Sequence, residues 1–308
     1  MLSFKNVIII GGGGNLGSVV LKTFLHESSF NVTVLSREGS TSEFPPDAKV
    51  IRANYDSPDA LKKAFQDQDV VVSLVGGAAL GDQNKFIDAA IAAGVKRFIP
   101  SEYGCDTSDA RAREIAPILN AKFATANYLR SKESAISWTA IITGPFWYVI
   151  PWVDWGNKVG FLGFNVANKT ATLWDNGTAI FSATNLHTIA LGLIKVIEKG
   201  EESANQYVYI SSFNTSQKEM LAGFERLTGS TWAVTQVSSS EQLASGRAKL
   251  EKGDFSGIED LLKVATFSGE EIGRFDAAKL WNDRLGLPKD DFEKALRAGV
   301  AGKYEHEV

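Results

Sequence analysis

Hydrophobic positions in the first half of the chain come in short bursts separated by amphipathic stretches. Val7–Ile10 is a wholly apolar run, the pattern of a strand buried on both faces of a parallel sheet. From Leu16 to His26 the apolar residues recur at helical spacing,. Val32–Leu35 and Ala48–Arg52 read as a second and a third strand. Ser57-Pro58-Asp59 opens a helix through Phe65, with serine as N-cap and proline in the first turn,. Val70–Val75 is a fourth strand, Asn84–Ala93 an amphipathic helix stopped by Gly94, and Arg97–Ile99 a short fifth strand. A longer helix is predicted over 117–132, then a strand at Trp138–Thr143 that Gly144-Pro145 ends. Strands alternating with helices predict an α/β chain: a Rossmann-type, doubly wound parallel sheet with helices on both faces.

The pattern then changes. Phe146, Trp147, Tyr148, Trp152, Trp155, Phe161 and Phe164 crowd into one short stretch. Thr170–Trp174 and Ala179–Ser182 flank Asp175-Asn176-Gly177, which predicts a hairpin,. Leu186–Glu198 reads as a helix and Tyr207–Ile210 as a late strand returning to the main sheet; the remainder reads as mostly helical. The expected organisation is a dinucleotide-binding domain over 1–150, with a return segment near 180–211. A smaller, discontinuous α+β substrate domain is expected over 151–179 and 212–308.

The loop between the first strand and the first helix carries the clearest chemistry. Gly11-Gly12-Gly13-Gly14-Asn15-Leu16-Gly17 can be read as G-x-x-G-x-x-G or as G-x-G-x-x-G. Such a loop turns tightly off the strand, brings bare backbone against a pyrophosphate, and lets the helix cross close to the sheet. The helix start, at Asn15 and Leu16, then offers free N–H groups and a partial positive charge to the phosphates. The end of the second strand selects between cofactors. There Arg37 can hold the 2′-phosphate of NADP(H) through a two-donor guanidinium. The competing reading leaves Arg37 in water and lets Glu38 grip the ribose of NAD.

Composition narrows the remaining classes. The chain has 308 residues, 44% hydrophobic and 22% charged, which suffices for a full core,. A net charge of −4 gives no electrostatic case for nucleic acid or an anionic membrane,. The apolar run at the N-terminus is too short for a signal peptide or a membrane span. One cysteine, Cys105, fits a reducing compartment, so the protein is expected to be soluble and cytoplasmic,. His26, His187 and His306 are far apart, and no metal site is expected.

From Val7 through Phe146 the chain resembles the NmrA-like, isoflavone-reductase-like family of atypical short-chain dehydrogenases. The resemblance rests on Ile8–Gly17, Val34–Arg37, Asp69–Gly76, Gln83–Gly94, the Lys122 helix, and Ile136-Ser137-Trp138-Thr139 leading to Gly144-Pro145-Phe146. Its most specific stretch is Lys96-Arg97-Phe98-Ile99-Pro100-Ser101-Glu102-Tyr103-Gly104. The resemblance implies NADPH, two domains with the active site between them, and reduction of phenylpropanoid-like aromatic substrates. It places the family's catalytic lysine on Lys122, beside the nicotinamide. A lysine suits that task when burial and neighbouring positive charge lower its pKa.

Gly76, Ser101 and Tyr103, at strand ends on the ligand edge of the sheet, are further cofactor-binding candidates. Phe146, Trp147, Tyr148 and Trp152 either line an apolar substrate pocket or form the core of the smaller domain. At least two of them are expected to share a cavity with Lys122. A rival motif, Tyr128-Leu129-Arg130-Ser131-Lys132, spells the Y-x-x-x-K of ordinary short-chain dehydrogenases. Its lysine falls four residues before Ile136, too close to the next strand, whereas Lys122 falls 14 before it. The leading function is therefore an NADPH-dependent reductase of a small aromatic or apolar secondary metabolite, with Lys122 as acid or organiser. The alternatives are an NADP(H)-sensing regulator that binds a partner protein, and a non-reductive cyclase or isomerase on the same fold.

Overall fold

The computed structural model describes residues 4–147, 160–269 and 271–303. Six strands come first: β1 (Asn6–Ile10), β2 (Asn31–Arg37), β3 (Lys49–Ala53), β4 (Val70–Ser73), β5 (Arg97–Ile99) and β6 (Ser137–Ile142). Between them run α1 (Asn15–Glu27), α2 (Pro58–Ala64), α3 (Gln83–Ala92), α4 (Ala110–Ile115) and α5 (Leu119–Arg130). Then follow β7 (Phe146–Trp147), β8 (Phe164–Asn165), β9 (Thr170–Trp174), β10 (Ile180–Asn185), α6 (Leu186–Glu198) and β11 (Gln206–Tyr209). The chain continues through β12 (Phe213–Ser216), α7 (Gln217–Thr228), β13 (Ala233–Val237), α8 (Ser239–Glu251) and α9 (Gly257–Phe267). It ends with α10 (Asn282–Leu285) and α11 (Phe292–Ala301).

The main sheet has seven strands in the order β3-β2-β1-β4-β5-β6-β11, and every pairing within it is parallel. This is the Rossmann order, with the reversal between β1 and β4. The alternation along β1 shows why the sheet is covered on both sides. Val7 and Ile9 enter a core shared with α1 and α6. Ile8 and Ile10 enter the opposite core, beneath α2, α3 and α5. The sequence caps behave as their chemistry requires: the Ser57 hydroxyl accepts from the Ala60 N–H at the start of α2, and Gly94 takes a left-handed φ of 79° after α3,.

A third core, largely aromatic, gathers Trp147, Phe164, Trp174, Phe181, Phe213 and Phe224 with residues of α7, α9 and α11. Two three-stranded sheets frame it, β12-β10-β7 and β13-β9-β8. The hairpin expected at Asp175-Asn176-Gly177 is corrected here. The three residues do turn the chain, all at positive φ, but β9 and β10 go to different sheets. The edge a hairpin partner would take is occupied by a side chain. Gln217 accepts from the Trp174 N–H at 3.0 Å and donates to the Leu162 and Thr172 carbonyls. Strands β12 and β13 also depart from the mostly helical reading of the C-terminal third. Four of the five β13 residues are exposed, so its alternation carries no burial signal.

Candidate active site

The site forms where β1, β4, β5 and β6 end on the same edge of the sheet, the ligand-binding edge of this fold. Leaving β1, Gly11 adopts φ 84° and passes so close to Leu74 that a Cβ would lie 2.7 Å from its carbonyl oxygen. The Gly14 N–H closes a turn onto the Gly11 carbonyl at 3.0 Å. Gly17 packs its α-carbon against that same carbonyl, with no room for a methyl group. Gly14 is the N-cap of α1 and offers no side-chain cap, so the first N–H groups of the helix stay open to an anion. Asn15 is exposed, and Leu16 turns inward to the core.

Arg37 is the last residue of β2 and is exposed. Sequence reasoning missed its neighbour Arg52, on β3. The Arg52 guanidinium donates to the Ser40 and Ser42 carbonyls at 2.7 and 3.3 Å. It thereby folds the segment after Arg37 over the glycine loop, where Ser42 comes within 3.0 Å of a Cβ position on Gly13. Arg52 thus ties down the segment after β2, and Arg37 stands exposed beside it.

The loops after β4 and β5 are braced together. Ser101 is buried; its hydroxyl donates to the Val75 carbonyl at 2.7 Å and its N–H to the buried Gln83 side chain at 2.8 Å. That hydroxyl therefore holds two strand ends in register. Gly76 is exposed and open on its Cβ side. Tyr103 turns its ring into the main core, and its hydroxyl has no partner among the described residues.

Lys122 lies near the start of α5, and its Nζ donates to the Tyr103 carbonyl at 2.8 Å. Gly104, at φ 127°, leaves the space beside that amine open, with Nζ 3.9 Å from where a Cβ would be. Burial pulls the Lys122 pKa down, while Glu102 and then Cys105 push it back up. Glu102, next to Tyr103 in the chain, is fully buried. Burial raises its carboxyl to about 7, against the opposing pull of Lys122 and the Thr107 hydrogen bond. Sequence reasoning quoted Glu102 within the family stretch and gave it no role. Cys105 reaches toward α9, its Sγ 3.9 Å from the Thr266 hydroxyl. The C-terminal third thus packs against the Lys122 end of α5, through Leu119, Ala116 and Leu261.

The aromatic candidates separate. Phe146 is partly buried against the main core. Trp147 takes the packing role the sequence left open for it. Its ring meets Phe213 and Phe292 edge-on at 4.9 and 5.4 Å in the third core. Tyr148 and Trp152 lie outside the described residues. The rival pair sits elsewhere: Tyr128 bonds Asp88 on α3, and Lys132 lies 5.1 Å from the Tyr128 ring. Lys132 is ten residues beyond Lys122, about 15 Å along the helix axis at α-helical rise, toward the start of β6. Among the described residues no cluster of three metal-ligating side chains occurs, and no helix is long and apolar enough to cross a membrane.

Comparison with known proteins follows the same lines. The sequence model of the NmrA-like family matches residues 3–272. The oxidoreductase aprR of Aspergillus flavus is 34% identical over 303 residues, covering 96% of this chain and 99% of its own length. Among solved structures, AtPrR2 with NADP+ and (+)-pinoresinol superposes with a TM-score of 0.74 at 22% identity, over 97% of this chain and 100% of that one. The ternary complex of leucoanthocyanidin reductase from Vitis vinifera gives 0.75 at 19% identity, over 96% and 99%.

Proposed function

This chain belongs to the NmrA-like family, and from that premise we propose that it is an NADPH-dependent oxidoreductase acting on a small aromatic or apolar metabolite. The observation that carries the reading is Lys122, an amine on the ligand edge of a Rossmann sheet, anchored at 2.8 Å to the Tyr103 carbonyl. The related Aspergillus protein is described as an oxidoreductase, and AtPrR2 holds NADP+ in its structure; both favour redox chemistry here.

The residues fit such a cofactor. Gly11, Gly14 and Gly17 keep side chains away from a pyrophosphate, and the uncapped start of α1 at Asn15 and Leu16 would hold it,. Arg37 would pair with the 2′-phosphate. Gly76, Ser101, Tyr103 and Lys122 would flank the nicotinamide end. When bound, NADPH supplies a hydride to an electrophilic carbon of the substrate. Lys122 supplies the matching proton: one N–H bond breaks toward the substrate atom that takes up the negative charge, leaving a neutral amine. The Tyr103 carbonyl fixes where that proton is presented. On this reading residues 151–179 and 212–308 belong to the substrate domain, Phe146 faces the substrate, and Trp147 supports it from the core behind.

The test is NADPH consumption across a panel of aromatic metabolites, with parallel calorimetry of cofactor binding. Turnover of at least one panel member is expected. Tight NADPH binding with no turnover of any member would overturn the reductase reading in favour of a dinucleotide sensor.

A further inference from the structure

The stretch Ser101–Gly104 does more than present a carbonyl to Lys122. Glu102 sits in its middle with no exposed surface. Thr107, from the loop that follows, donates its hydroxyl to Glu102 Oε2. Glu102 Oε1 has no hydrogen-bond partner among the described residues. A buried carboxylate with one bare oxygen is costly unless positive charge stands close by. Of the charges that act on Glu102, Lys122 on α5 is the strongest; Arg130, also on α5, acts in the same direction, and Asp106 opposes them. Two tyrosines also feel the Glu102 charge, Tyr103 beside it and Tyr207 on β11. Cys105 acts on Lys122 in the same direction as Glu102, more weakly.

We infer that Glu102 is a positioning residue: its buried carboxylate keeps the Lys122 amine protonated, so that the amine holds a proton to give. The inference rests on the proposed function for its chemical meaning; the closeness of the two groups rests on the Tyr103 carbonyl, which holds the Lys122 amine at 2.8 Å one residue along the chain from Glu102. Without Glu102, only Cys105 opposes the effect of burial, and the Lys122 amine gives up its proton at a lower pH,. Without Lys122, the Glu102 carboxyl loses its strongest opposing charge and keeps its proton to a higher pH. The Lys122–Tyr103 hydrogen bond sets the amine's place, and Glu102 sets its charge. The same arrangement limits the pH range, because the pair loses its usable proton as pH rises through the Lys122 pKa.

The test reads Lys122 directly, without turnover. Competitive acylation of Lys122 in the cofactor-free protein, followed across pH by peptide mass spectrometry, gives the titration midpoint of its amine. Glu102→Gln keeps the shape and removes the charge; the midpoint is expected to fall by about one pH unit or more. Thr107→Val removes the hydroxyl that favours the charged carboxylate and is expected to move the midpoint the same way, by less. Glu102→Asp is expected to restore part of the shift. Should Glu102→Gln fail to fold, Thr107→Val decides. A midpoint that stays put, or rises, in the variants that fold overturns the inference. The proposed function fails separately, if the midpoint moves as expected and no substrate is reduced. If substrate is reduced, the basic limb of the kcat/KM profile should move with the midpoint.

Discussion

The glycine loop and the Lys122 pocket lie on the same edge of one sheet and are built from opposite materials. Gly11 and Gly17 carry no side chain because backbone must pass backbone there at contact distance. Around Lys122 the chain does the reverse, crowding Glu102, Cys105, Asp106 and Thr107 into a buried space. The first region works by shape and tolerates no added atom at Gly11 or Gly17. The second works by charge, and its tolerance is set by which groups carry protons. A substitution in the loop should therefore act on binding and stability, and one in the pocket on turnover and its pH dependence.

The largest effect tests that division at once. Lys122→Ala is expected to lower kcat by about 10²-fold or more, the usual cost of losing a positioned acid, with little change in NADPH affinity. Steady-state kinetics beside calorimetry checks both halves. An equal loss of affinity would move Lys122 from the proton-donating side of the comparison to the cofactor-holding side.

Next comes the loop. Gly17→Ala drives a methyl group into the Gly11 carbonyl, and backbone cannot yield as a side chain can. The expected cost is roughly 1–3 kcal/mol of stability, the usual range for overpacking, together with weaker NADPH binding. Gly76→Ala is the control, since its Cβ would meet nothing within 4 Å. Thermal melts of both variants read the contrast. Similar losses in the two would show that the loop's glycines are not there for close approach.

The same contrast explains what the sequence made legible. Close approach by backbone demands one residue type, so Gly11 and Gly17 could be read directly from spacing. Buried parallel strands demand apolar runs, so Val7–Ile10 stood out. The role inferred for Glu102 has no such local signature, because Lys122 comes near it only through the fold. The Asp175–Gly177 turn failed for a related reason. Its residues fix a left-handed bend, but β9 pairs with β8 and β13, and Gln217, more than 40 positions away, takes the Trp174 N–H. Trp147 likewise reads as an aromatic in sequence, and only its neighbours Phe213 and Phe292 give it a packing role.

Arg37 sharpens the comparison from the edge of the loop. It is exposed at the end of β2, so its contribution is one charged contact rather than a steric fit. NADPH is expected to bind at least about tenfold more tightly than NADH, a difference of about 1.4 kcal/mol. Arg37→Ala should abolish most of that preference and leave the protein's melting temperature unchanged. Equal affinities in the unaltered protein would hand the ribose to Glu38.

The smallest expected effect is also the one that most directly asks where the chemistry lies. Helix α5 has one lysine near its start and another just past its end, and the Y-x-x-x-K spacing names the wrong one if the topology governs. A helix that follows a parallel strand runs back antiparallel to it, so its start meets the ligand edge and its end meets the opposite edge. Lys122 is near the start; Lys132 lies just past the end, in the turn that leads into β6. Tyr128 spends its hydroxyl on Asp88, and Lys132 lies over the Tyr128 ring, a surface arrangement with modest energy. Lys132→Ala and Tyr128→Phe are therefore expected to change kcat/KM by no more than about twofold, the range of surface substitutions. A hundredfold loss in either, with Lys122→Ala near full activity, would reverse the assignment of the two ends and move the reacting centre to the other edge of the sheet.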